Sequence, residues 1–191
     1  MILMKKHIQD AVLHLFDEQV RLTGVTEYGL SWADLTSGGI APPPEGARFD
    51  IAFEGEVAGE RLNGRIRGID YLEVRADGRF ILDIRATIIT DDGELIALRE
   101  DGVLTPSPGA PSASLHLNMT FTTHSPRYAW LNKQQVWAIG QADMVCGAVT
   151  VRAYSGAEVI FTSPESTRQP ASALGASCER WPILMCKCLN V

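Results

Sequence analysis

Between Ile51 and Val103 the chain repeats one unit: a run of alternating apolar and polar residues, then a turn carrying glycine. Alternation with a period of two marks strands with one face buried and one wet. Phe49, Ile51 and Phe53 share one face, with Asp50, Glu54 and Glu56 opposite. Leu62, Gly64, Ile66 and Gly68 oppose Arg61, Asn63, Arg65 and Arg67. Phe80, Leu82, Ile84, Ala86 and Ile88 oppose Arg79, Ile81, Asp83, Arg85 and Thr87. Ala76-Asp-Gly78 and Asp91-Asp-Gly93 read as hairpin turns, because Asp and Gly accept the positive φ that tight hairpins need. A strand from Leu95 to Arg99 follows, ended by Asp101-Gly102.

The pattern continues beyond a Pro/Ser/Gly/Ala loop at residues 106–114. Leu115, Leu117, Met119 and Phe121 alternate with His116, Asn118, Thr120 and Thr122. Ser125 to Asn132 reads as a connection of one short turn, and residues 135–139 and 145–154 as the last two strands. Strands linked in order by tight turns favour an all-β fold, a single antiparallel β-barrel of about 7–9 strands, because closure removes the sheet edges. Residues 7–22 fit both the helical and the strand period, and the reading adopted is a short N-terminal helix running into a strand. The division expected is an N-terminal segment over 1–47 with a Pro-rich loop, a barrel core over 48–161, and a flexible C-terminal tail over 162–191. The tail reading rests on a Ser/Pro/Ala/Thr-rich stretch followed by an apolar end with cysteines.

Composition sets limits on function. The chain has 191 residues, a net charge of −6 and no basic run, so nucleic acid is not an expected partner. It has no apolar stretch long enough to span a membrane as a helix and no apolar run after Met1-Ile-Leu-Met-Lys-Lys6 that would make a secretory signal. The cysteines Cys146, Cys178, Cys186 and Cys188 do not form a disulfide framework, which points to a cytoplasmic location. Their spacing does not fit a zinc site, so no metal and no organic cofactor is expected.

The ordered set Glu60-Arg-Leu-Asn-Gly64, Gly68-Ile-Asp70, Asp77-Gly78, Leu82-Asp-Ile-Arg85, Thr90-Asp-Asp-Gly93 and Tyr128-Ala-Trp-Leu-Asn132 resembles a bacterial family, domain of unknown function 3237. The resemblance covers about residues 48 to 154. It implies a small barrel of the allene oxide cyclase-like and lipocalin-like kind, and no established activity.

Several residues are candidates for chemistry. Asp70, beside Gly68 and Tyr71, is either a carboxylate at a barrel mouth with a raised pKa or a turn residue binding backbone amides. Asp83 and Arg85 lie two apart and so share one side of a strand. With Arg65 on the neighbouring strand, that side is either a charged lumen or a wet outer face bearing ion pairs. His124 is a candidate proton shuttle. Tyr128, Trp130, Asn132 and Tyr154 are candidates for the wall of an apolar pocket, with the alternative that Trp130 plugs the barrel. The expected function is a pocket for a small, largely apolar organic molecule, with acid/base chemistry of isomerase, cyclase or lyase type by Asp70, Arg85 and His124. A non-catalytic lipocalin-like binder and a structural homo-oligomer are the alternatives, and a homodimer suits all three.

Overall fold

The structure, a computed structural model, describes residues 12–156. Eight antiparallel strands close into one barrel in sequence order. They are β1 (Val12–Glu27), β2 (Ala47–Ala58), β3 (Asn63–Val74), β4 (Phe80–Thr90), β5 (Leu95–Pro106), β6 (Ser112–Thr122), β7 (Val136–Asp143) and β8 (Ala148–Gly156). The helix α1 (Trp32–Thr36) follows β1, and a 3-10 turn (Ala129–Lys133) lies between β6 and β7.

The alternation read from the sequence is the division between lumen and outside. On β3 and β4, Ile66, Leu72, Val74, Phe80, Leu82, Ile84 and Ile88 are buried, and their neighbours in sequence face out. Gly78 and Gly93 hold φ of +82° and +86° at the two tight turns, as the hairpin reading requires. Gly68 faces inward with no room for a larger residue, since a Cβ there would lie 2.5 Å from the Arg85 carbonyl oxygen and 2.8 Å from Phe53 Cζ.

Paired positions form a row around the barrel: Val25, Ile51, Asp70, Ile84, Glu100, Met119, Val136, Ser155 and back to β1 at Leu13. The row leaves β1 at Val25 and returns at Leu13. That offset along one strand is the stagger that strongly tilted strands need to close an eight-stranded barrel. Such a barrel is just wide enough to fill with side chains or to hold one small ligand.

Two elements differ from the sequence reading, and a third lies outside the described residues. Residues 12–22 are strand: Phe16, on the helical spacing, is wholly buried as an inward strand residue, and two register shifts let β1 pair with both β2 and β8. The helix signal came from Ile8, Val12, Leu15 and Phe16, of which Ile8 lies outside the described residues. The barrel therefore uses a strand from the segment read as preceding it. β5 does not stop at Asp101-Gly102 but runs on to Pro106, with Gly102 paired to Leu117. Residues 162–191, including Cys178, Cys186 and Cys188, lie outside the described residues.

Candidate functional site

The two ends of the barrel are unlike. At one end Phe16 and Phe121 meet edge-to-face, 6.1 Å between ring centroids, and the 3-10 turn brings buried Leu131 nearby. Asn132 ties this turn to the end of β6: its Nδ2 donates to the Thr123 carbonyl (2.8 Å), and the Thr123 N–H donates to its Oδ1 (2.9 Å). At the other end Trp32 of α1 packs against Phe49 (5.1 Å) and Phe80 (6.2 Å). Ser31 caps α1 through its Oγ, which accepts from the Asp34 N–H (3.3 Å), so a helix of five residues is held in place to present Trp32.

Between the closed end and Trp32 the lumen contains a cavity of about 290 Å³. Its walls are mostly apolar, with Leu22, Ile51, Leu72, Leu82, Leu104 and Leu117 among them. Residues 143–147 of the β7–β8 turn border it at the Trp32 end. Three acidic side chains from alternate strands also line it: Glu18 of β1, Asp70 of β3 and Glu100 of β5. They are 3%, 8% and 1% exposed, far below what carboxyl groups normally show.

Each of the three occupies an inward position by strand parity. Glu18 lies between Phe16 and Val20, Asp70 between Gly68 and Leu72, and Glu100 after Ile96 and Leu98. Asp70 is fixed by its neighbour strand. The β3–β4 pairing is open between Asp70–Ile84 and Glu73–Ile81, and there the Asp83 N–H donates to Asp70 Oδ1 (3.2 Å). Glu18 Oε2 and Glu100 Oε1 are buried and have no hydrogen-bond partner among the described residues.

Burial dominates the electrostatics, because removing a carboxyl from bulk water disfavours the charged form. It raises Asp70 from 3.8 to about 7, against the lowering effect of the Asp83 N–H; Asp83 and Asp50 add to the rise. Burial raises Glu18 to about 7. Glu100 is raised well above the usual carboxylate range by burial and then by the nearby charges of Glu18 and Asp70. Near neutral pH the cluster therefore holds protons it can give or take. Among the described residues no Lys, Arg or His lines the cavity, and no group of three His, Cys, Asp or Glu side chains is placed to hold a metal ion.

The model of the family described as "Protein of unknown function (DUF3237)" matches residues 34–155, most of the barrel. The chain belongs to the DUF3237 family. A UPF0311 protein of Clostridium acetobutylicum is 33% identical over 93 residues, which is 41% of this chain and 59% of that protein, so the match spans well under two thirds of the relative's length. A β-barrel-like protein of Acinetobacter baumannii has a TM-score of 0.61 and 29% identity, covering 76% of this chain and 95% of that one. An enzyme from Penicillium herquei has a TM-score of 0.50 and 21% identity over 76% of this chain and 93% of its own, a likeness of fold alone.

In this DUF3237 barrel the residues singled out from the sequence fall in three places. Asp70 alone is in the lumen, in the middle of β3 and not at a strand end or turn. Arg65, Asp83 and Arg85 are on the outer face, where Arg85 pairs with Asp83 (3.1 Å) and Arg99 lies 3.8 Å from it. Parity explains this: Asp83 and Arg85 alternate with Leu82, Ile84 and Ala86, which fill the inside. Among the described residues no arginine fork faces the pocket.

The rest serve the ends or the outside. His124 is exposed in the β6–β7 connection. Tyr128 is buried at the closed end and donates to Asp92 Oδ1 (2.8 Å). Trp130 lies under the Arg61 guanidinium, 4.0 Å from the ring centroid, and Asn132 is spent on Thr123. Tyr154 stacks on Trp137 outside the barrel (4.9 Å). The sequence reading missed Glu18 and Glu100. Their signal was an acidic residue at the apolar phase of a strand, hidden because β1 was read as partly helical and β5 as ending before Glu100.

Proposed function

We propose that the lumen binds a small, largely apolar organic molecule and carries out proton transfer on it, of isomerase, cyclase or lyase type, with Asp70 as the acid/base group. The observation that carries this reading is the set of buried carboxyls facing one apolar cavity. A carboxyl with a pKa near neutrality is matched to proton transfer at working pH, and such perturbed groups gather at functional sites. Asp70 suits the role because Asp83 fixes one of its oxygens while its side chain lines the cavity. Glu18 and Glu100 serve as proton reservoir and hydrogen-bond donors. The outward faces of β3 to β5 carry Arg65, Arg67, Asp83, Arg85, Arg99 and Asp101, charges that a lipid-facing band excludes, which supports a barrel surrounded by water.

The second reading is a lipocalin-like carrier using the same pocket without chemistry, favoured by the predominance of apolar wall. Titration with the neutral fluorescent probe N-phenyl-1-naphthylamine tests the pocket. The reading expects saturable binding that is lost in Ala142→Phe, a change at the cavity wall, with the circular dichroism of the barrel retained. Co-purifying small molecules identified by native mass spectrometry then supply substrates. Retained affinity with lost turnover in Asp70→Asn supports catalysis, and equal turnover in Asp70→Asn removes Asp70 from the chemistry.

A further inference from the structure

We propose that the pocket selects a lipophilic amine, seating its ammonium against the cavity-lining carboxyl groups of Glu18 and Glu100 and its hydrocarbon along the apolar wall. This rests on the pocket reading above and adds the class of ligand.

The charge pattern of the lumen is one-sided. Glu18, Asp70 and Glu100 come from β1, β3 and β5, and Asp143 stands at the border on β7. The even-numbered strands add no charge: Ile51 and Phe53 from β2, Leu82 and Ile84 from β4, and Leu117 and Val151 from β6 and β8. Outside the lumen, Asp83 and Asp50 add further negative potential at Asp70. A carboxylate, phosphate or sulfate ligand would meet repulsion from each of these groups that ionises. A neutral ligand would leave the acids as they are. An amine supplies what the site lacks.

Hydrogen bonding points the same way. Among the described residues no donor reaches Glu18 Oε2 or Glu100 Oε1, and both residues line the cavity. An ammonium carries three donors and no acceptor, matching the carboxylate that remains when a carboxyl gives up its proton. The proton balance is simple. An amine that enters neutral takes a proton from a carboxyl O–H onto its nitrogen lone pair, leaving an ammonium–carboxylate pair. An amine that enters as ammonium meets a carboxylate above about pH 7, or displaces one proton to solvent below it.

The test compares octylamine, octanol and octanoate by isothermal titration calorimetry on the whole chain. The expected order at pH 8 is octylamine about tenfold or more tighter than octanol, with no binding of octanoate. Octylamine affinity should fall about tenfold or more between pH 8 and pH 5.5 with proton release to buffer, while octanol shows no such change. Glu18→Gln and Glu100→Gln, tested separately, should each weaken octylamine and leave octanol unchanged. Octanol binding as tightly as octylamine, or octylamine indifferent to both variants, overturns the amine proposal and leaves the apolar pocket standing. Failure of all three probes to bind overturns the pocket reading itself.

Discussion

Asp70 and Glu100 stand on the same row of the barrel, two strands apart, with Ile84 paired to both. Their side chains therefore enter the lumen at one level, on either side of an isoleucine and away from water. Two carboxyls so placed cannot both ionise cheaply, and Glu18 adds a third. The site is built from acidic residues at apolar positions of a regular barrel.

Stability should decline with rising pH. A carboxyl whose folded pKa lies above its unfolded value binds its proton more tightly when folded. Its contribution is fully present below about pH 4 and is lost as pH rises through about 7, where Asp70 and Glu18 ionise. Urea midpoints between pH 4 and pH 8 should fall. Asp70→Asn should match the wild type at pH 4 and exceed it at pH 8 by about 1–3 kcal/mol, since each tenfold change in proton affinity is worth about 1.4 kcal/mol. A midpoint that rises over that range contradicts the raised pKa values of the buried carboxyls.

Arg85→Ala should change little. The Arg85–Asp83 pair is half exposed on the outer face, and such pairs are worth about 0–1 kcal/mol. Binding of N-phenyl-1-naphthylamine should be unaltered, because Arg85 is not among the residues that line the lumen. A large loss of probe affinity in a folded Arg85→Ala protein would place the ligand site on the outer face.

Asn132→Ala should loosen the closed end. It strips Thr123, which is buried, of partners for both its N–H and its carbonyl. Losing such partners costs about 1–3 kcal/mol per group left unsatisfied. Hydrogen exchange at the Thr123 amide should speed up before exchange in β3 and β4 does. Unchanged protection at Thr123 would show that the turn holds without Asn132.

The barrel was legible because its signal is local: alternation and glycine turns fix β2, β3, β4 and β6, and sequential hairpins fix their order. β1 was harder, since its two register shifts break the alternation that would have marked it as a strand. The site was legible only at Asp70. Which face of β4 points inward is a property of the whole barrel, so Asp83 and Arg85 fit a lumen or an outer surface equally well until closure is known. Glu100 shares a row with Asp70 through Ile84, a register that shows only once β5 is extended past Arg99, and Glu18 joins them from a strand whose alternation is broken.

The most direct test of a dry, proton-bearing carboxyl cluster is the titration of Asp70 itself. The ¹³Cγ shift of labelled aspartate, assigned by comparison with Asp70→Asn, reads it without a ligand. A midpoint near 7 is expected, and it should stay in place in Glu100→Gln, because the rise at Asp70 comes from burial first and then from Asp83 and Asp50. A midpoint near 4, the ordinary value for an aspartate in water, would contradict the account.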